Sequence, residues 1–166
     1  MAGETVGSIG EFIPHRFRVL LYGEQGASAP ICSGAFSEVT GLEAGQVPLK
    51  FKEGGRNWGE VQLSGVTTFP PVVLKRGMTE VADLWTWFEY STRQANYQYR
   101  LQGKIQVLAP NGKDIALTWL LDNVLPIKFK GADLSSTANT VAIEELQLVH
   151  EGLSLVRGDD EEQGKA

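Results

Sequence analysis

Chemistry in this chain would have to start from very few side chains. One cysteine, Cys32, sits in the phrase ICSG, and the two histidines are His15, in a strand approach, and His150, at a strand end. Nucleophilic catalysis needs a serine, threonine or thiol with a base held beside it. ICSG matches no nucleophile signature, and neither histidine lies in a motif such as a G-x-S-x-G elbow. Cys32 reads instead as a small buried hydrophobe. A single thiol excludes an intramolecular disulfide and a Cys-rich zinc site, and the histidines lack H-x-x-x-H spacing. Glu144 and Glu145 are adjacent, so a strand points them to opposite faces and they cannot act as an acid/base couple. GEQGAS and KEGGRNWG are glycine-rich but lack the P-loop Lys-Ser/Thr and the Rossmann G-x-G-x-x-G. The expectation is a protein that is not an enzyme and has no catalytic residues, no cofactor and no metal.

Partners are narrowed by charge. Fifteen basic residues stand against 20 acidic ones, for a net charge of −5, and the basic residues are scattered or paired instead of forming one stripe. Such a surface does not attract a nucleic-acid backbone. MAGETVGSIGEF has neither the charged n-region nor the apolar h-region of a secretory signal, and no window approaches 18 apolar residues. Synthesis in the cytoplasm is expected. Residues 1–11, with three glycines, read as a flexible arm. Residues 157–166 carry four consecutive carboxylates, Asp159 to Glu162, and read as an acidic disordered tail. The RGD within that tail is too short to signify adhesion. One domain, 12–156, lies between.

The elements of that domain show mainly a period of two. Phe17, Val19 and Leu21 alternate with Arg16 and Arg18, and Val47, Leu49 and Phe51 alternate with Lys50 and Lys52. Ile105 and Val107 form another such run, and Ile115, Leu117, Trp119 and Leu121 the next; Asn111-Gly112 between them supplies the positive φ of a tight hairpin. Ile127 and Phe129, alternating with Lys128 and Lys130, give a further strand. The composite is an antiparallel β-barrel or sandwich.

One segment departs from it. In TEVADLWTWFEYS, Val81, Leu84, Trp85 and Phe88 fall at i, i+3, i+4 and i+7, with Thr79 as N-cap, and predict one helix burying Trp85 and Phe88. In TVAIEELQLVHEG the apolar phase slips at Glu144-Glu145, from either a β-bulge or a strand covered on both faces, with the second slightly favoured.

The surface of these strands suggests assembly. Lys50/Lys52 and Lys128/Lys130 either keep solvated faces soluble or meet acidic residues such as Glu38, Glu43, Glu144 or Glu145 on a neighbouring copy. The glycine-rich stretch from Phe36 to Glu60, with its basic residues and Trp58, suits an extended docking arm better than a core element.

In order along the chain, HRFRVLL, GAFSEVTGLEAG, VPLKFKEGGRN, VVLKRGMTEVADLWTWF, VLAPNGKDIALTWLLDNVLPIKFKG and NTVAIEELQLVHEGL resemble the tail tube protein family of contractile phages. The likeness runs from about residue 12 to 156 and is greatest to the branch shared with phage-tail-like contractile injection systems. It implies a β-barrel with one helix, related in shape to the haemolysin-coregulated tube protein of type VI secretion. It also implies hexameric rings stacked into a hollow inner tube, wound by a contractile sheath and driven through a target envelope. The partners implied are further copies of the chain, the sheath protein, baseplate and terminator proteins, and cargo in the lumen. By this resemblance Val47–Asn57 docks on neighbouring subunits or rings, and Lys75 and Arg76 sit at a turn near a subunit boundary. The residues expected at subunit interfaces are Glu38, Glu43, Lys50, Lys52, Arg56, Trp58, Lys75, Arg76, Glu144 and Glu145. Two other readings stay open: a terminal tube-like baseplate or adaptor ring, and a monomeric β-barrel binding module or hydrolase.

Overall fold

A computed structural model describes residues 16–23, 29–34, 36–55, 57–93, 98–137 and 139–157. The elements, in chain order, are β1 (Phe17–Tyr22), β2 (Cys32–Gly34), β3 (Glu38–Thr40), β4 (Gly45–Gln46), β5 (Leu49–Phe51), β6 (Val61–Leu63), β7 (Thr67–Thr68), β8 (Val72–Gly77), α1 (Asp83–Arg93), β9 (Leu101–Leu108), β10 (Ile115–Lys130), β11 (Ile143–Val149) and β12 (Gly152–Arg157). All strand pairings are antiparallel. The protein is mainly β with one helix among the described residues, and no described helix is long and apolar enough to cross a membrane.

Strand β10 organises the body. Its first half lies between β9 and β12, and β9 continues to β1 and β2. Its second half pairs with β11, which continues to β8 and β3. One 16-residue strand therefore belongs to both layers of a sandwich. Period-two reading breaks this strand in two, at Leu121 and again at Ile127, because Leu121 and Val124 are three apart yet both fully buried. A register shift between Leu121 and Val124 absorbs the extra residue, and Asn123 there takes φ 52°, a conformation asparagine tolerates better than most residues. Pro126, which cannot donate to a ladder, sits at a second shift. The strands do not close into a barrel, since β2 and β3 end the path without pairing to each other.

The core lies between the layers. Val19, Leu21, Leu101, Ile105, Leu121 and Val124 meet Val72, Leu74, Leu146 and Leu148, all buried, with Leu84 and Trp87 of the helix closing one side. Here the predicted helical stripe is corrected. Leu84, Trp87 and Ser91 face inward, whereas Trp85 is 44% exposed and Val81 precedes the helix. Trp87 and Ser91 lie at i+3 and i+7 from Leu84 and share its face, whereas Trp85, one residue on, is turned away from it. Trp85 instead joins Phe88 and Phe129 in an aromatic cluster at the helix margin, with ring centroids 5.8 and 5.3 Å away. Thr79 does not cap the helix: its hydroxyl donates to the Val81 carbonyl at 3.4 Å, and Asp83 occupies the first turn.

Two local expectations also change. The hairpin between β9 and β10 forms, but through a longer loop in which only Gly112 has positive φ (70°) among the described loop residues. Asn111 contributes its side chain, whose Oδ1 accepts from the amides of Lys113 and Asp114. Strand β11 runs in unbroken register against β8, so no bulge interrupts Glu144-Glu145.

Candidate assembly surface

Between β3 and β8 the chain leaves the body as a two-stranded arm. β4 pairs with β7 and β5 with β6, each as a separate two-stranded ladder. The register sets Leu49 against Leu63 and Phe51 against Val61, while Lys50 opposes Gln62. Directly paired residues share a face, so one side of the arm is apolar and the other carries Lys50. Leu49, Phe51 and Leu63 are more than half exposed, as are Val47 and Val66 nearer the root, and Trp58 at the tip is 89% exposed. An isolated two-stranded hairpin is marginally stable in water, and this one shows its apolar face to solvent.

The root of the arm is held by close backbone approach. A Cβ on Gly65 would fall 1.8 Å from the Val47 carbonyl oxygen, so only glycine fits there. Gln46 Nε2 donates to the Gly65 carbonyl at 2.6 Å. Phe69, which follows β7, packs at 5.0 Å against the buried His150, whose Nδ1 is 2.9 Å from the Gly152 carbonyl. Gly55 and Gly59 supply positive φ (90° and 74°) at the tip.

The residues expected at interfaces fall into four groups. Lys50, Lys52 and Trp58 lie exposed on the arm and Glu43 lies exposed at its root, with no ion pair to any of them among the described residues. Arg56 lies outside the described residues. Glu38 and Lys75 pair with each other across β3 and β8 at 3.1 Å, in partial exposure, and Glu145 is half-buried with Oε1 accepting from Gln147 Nε2 at 2.9 Å.

Arg76 and Glu144 need correction. Lys75 and Arg76 lie within β8 and not at a turn, and neither Arg76 nor Glu144 is on a surface: Arg76 is 4% exposed, and Glu144, which opposes it in β11, is 8% exposed. The Arg76 guanidinium bonds the carboxylates of Glu144 and Asp83 and the Val81 carbonyl, and its charge lies 5.7 Å from the centroid of the Phe36 ring. Burial pulls the Arg76 pKa down, but the hydrogen bonds it donates to Asp83 and Glu144 and their negative charge outweigh it and leave it above the ordinary value. The group ties both β8 and β11 to the start of α1, so it belongs to the fold. Its signal was in the parity of the strands, since Val72, Leu74 and Arg76 share one face, as do Glu144, Leu146 and Leu148.

The groups considered for chemistry sit in the interior or outside the described residues. Cys32 is buried, and burial first, then the Asp83 charge, pushes its thiol from 9.0 up to about 12. A nucleophilic thiolate requires the opposite shift. His15 lies outside the described residues. Among the described residues no group of three or more His, Cys, Asp or Glu side chains could hold a metal ion.

Exposed among the described residues are the apolar face of the arm and the margins of the sheets. Among the described strands, β2, β3 and β12 each have one unpaired margin, and such margins can take up another strand.

Comparison with known proteins gives this surface a context. The family model described as T4-like virus tail tube protein gp19 matches residues 14–154. A chain in the six-fold symmetrised structure of the anti-feeding prophage baseplate has TM-score 0.77 at 24% identity, covering 89% of this chain and 97% of that one. A chain in the sheath-tube complex of PVC, an extracellular contractile injection system, in its extended state, has TM-score 0.75 at 18% identity, covering 94% and 99%. Hcp1 from Flavobacterium johnsoniae shares the fold more distantly, with TM-score 0.56 at 13% identity over 86% and 95%. No curated protein sequence matches.

Proposed function

The chain belongs to the T4-like virus tail tube protein family, and on that premise we propose that it is the inner-tube protomer of a phage-tail-like contractile injection system. The observation that carries this is the arm, whose apolar residues Leu49, Phe51 and Leu63 stand in solvent on a hairpin that cannot be stable for its own sake. Burial against a neighbour is worth ~1.5–3 kcal/mol for each such side chain, before the costs of association. Arm and acceptor are different patches, so the contact is heterologous, and repeated contacts close into a ring or continue as a filament. Six copies form a ring, rings stack into a hollow tube, and the sheath protein surrounds it. Baseplate and terminator proteins finish its ends, the lumen admits cargo, and contraction carries the tube through a target envelope. A subunit held both laterally and axially leaves only when several contacts break together, so modest interfaces make a durable tube. The family is one of structural tube proteins, and its members are parts of phage tails or tail-like particles.

One observation favours a second reading, a terminal ring of the same fold. The similar solved structures include the anti-feeding prophage baseplate, its tube-terminating cap and a PVC sheath/tube terminator as well as the sheath-tube complex. Size-exclusion chromatography with negative-stain microscopy of the purified full chain separates the two. An inner-tube protomer gives rings that stack into long tubes; a terminal ring stops at one layer. A stable monomer at all concentrations refutes both.

A further inference from the structure

An apolar groove opens at one end of the sandwich, where the layers differ in length. On one layer Phe17, Val107 and Leu117 lie in register across β1, β9 and β10, with Trp119 beside them. Facing them are Val39 of the three-residue strand β3 and Leu42 just beyond it. So short a strand leaves the row uncovered, and all six side chains are only half-buried. The space between them is about 230 Å³, whereas an apolar cavity of roughly 150 Å³ already holds a benzene ring. One large aromatic side chain fits.

The same molecule carries an aromatic side chain with no place of its own. Trp58 at the arm tip is 89% exposed, and tryptophan is the residue most enriched among the anchors that dominate interfaces. Its own groove is out of reach. Leu42 lines that groove and the arm begins at Gly45, so an extended arm places its tip ~30 Å away at about 3.3 Å per residue. Only a second copy can bring groove and indole together. Charge supports that pairing, since Lys50 and Lys52 on the arm and Glu43 beside Leu42 form no ion pair within the described residues.

The geometry points to a knob-and-socket contact between copies, in which Trp58 of one copy seats in the groove of the next, between Val39 and Leu42 on one side and Phe17, Val107 and Trp119 on the other. This rests on the tube-protomer reading and adds an address for the arm. Donor and acceptor lie about one arm length apart on each molecule, so the contact repeats from copy to copy without using up either patch.

The test uses the full chain with Cys32→Ala, adding Trp58→Cys together with either Val39→Cys or Leu42→Cys, treated with a short bis-maleimide. Covalent dimers and higher ladders are expected on denaturing gels. The pair Trp58→Cys with Ser154→Cys, on the exposed part of β12, should give no ladder. Trp58→Ala should raise the concentration needed for assembly about ten-fold with unchanged circular dichroism. Assembled particles that cross-link at neither Val39 nor Leu42 overturn the groove while leaving the tube-protomer reading intact. A parent chain that never assembles overturns both. Assembly by Trp58→Ala at the parent concentration also overturns the contact.

Discussion

Lys75 and Arg76 are neighbours in one strand and carry the same charge, yet the structure assigns them very different weights. Lys75 meets Glu38 at 3.1 Å, with the two side chains 33% and 48% exposed. An exposed pair of this kind contributes ~0–1 kcal/mol, because water screens it and two long side chains must be held in place. Arg76 faces the core between Asp83 and Glu144, with side-chain exposures of 5%, 15% and 10%. Arg76→Met would leave the buried Glu144 and the half-buried Asp83 carboxylates without their shared cation, a change that costs about 3–5 kcal/mol. Lys75→Ala should cost less than about 1 kcal/mol. Glu144→Gln, added to Arg76→Met, removes one of the stranded charges and should restore part of the loss. The assay is urea unfolding followed by far-UV circular dichroism on the dilute, unassembled chain, since self-association would add to apparent stability. Equal midpoint shifts for Lys75→Ala and Arg76→Met would refute the reasoning, and so would an Arg76→Met/Glu144→Gln variant less stable than Arg76→Met alone.

Three further expectations follow from the same geometry. Gly65→Ala puts a methyl 1.8 Å from the Val47 carbonyl oxygen, so the arm should lose its root and assembly should fail, while the melting temperature of the unassembled body shifts by no more than a few degrees. Lys50→Glu with Lys52→Glu should hinder ring and tube formation in negative-stain images with circular dichroism unchanged; normal tubes would mean that these charges are merely solvated. Cys32 has its thiol pKa raised from 9.0 to about 12, so above pH 9 the unfolded chain releases a proton that the folded chain retains. Stability is then lost as pH rises from about 9 to 12, and Cys32→Ala should show a shallower alkaline decline in urea midpoint.

Much of this arrangement was legible from residue patterns, and the exceptions have physical causes. Alternation found β1, β9, β11 and the two parts of β10, which have buried faces, and it placed Leu49 and Phe51 on one side of the arm with Lys50 on the other. It split β10 because bulges change the phase of a strand without ending it, and a phase change alone looks like a loop. Counted from Val81, spacings of three and four admit both Leu84 and Trp85 to one helix face, and only packing against the sheets turns Leu84 and Trp87 inward and leaves Trp85 at the margin. Arg76 and Glu144 were misplaced by their charge, although their parity with Val72, Leu74, Leu146 and Leu148 pointed inward. A charged residue in phase with a core stripe signals a buried partner on the strand alongside. The apolar groove between Phe17 and Leu42 has no signal in one dimension, because it exists only where a three-residue strand faces longer ones.

As an inner-tube protomer, this chain would complete its surface against copies of itself. Electron microscopy of the purified full chain at assembling concentration, carried to side-chain detail, tests it most directly. Six-membered rings stacked into a hollow tube are expected, with each arm lying on another copy. An isolated sandwich whose arm folds back to bury Leu49, Phe51 and Leu63 on its own body would contradict it.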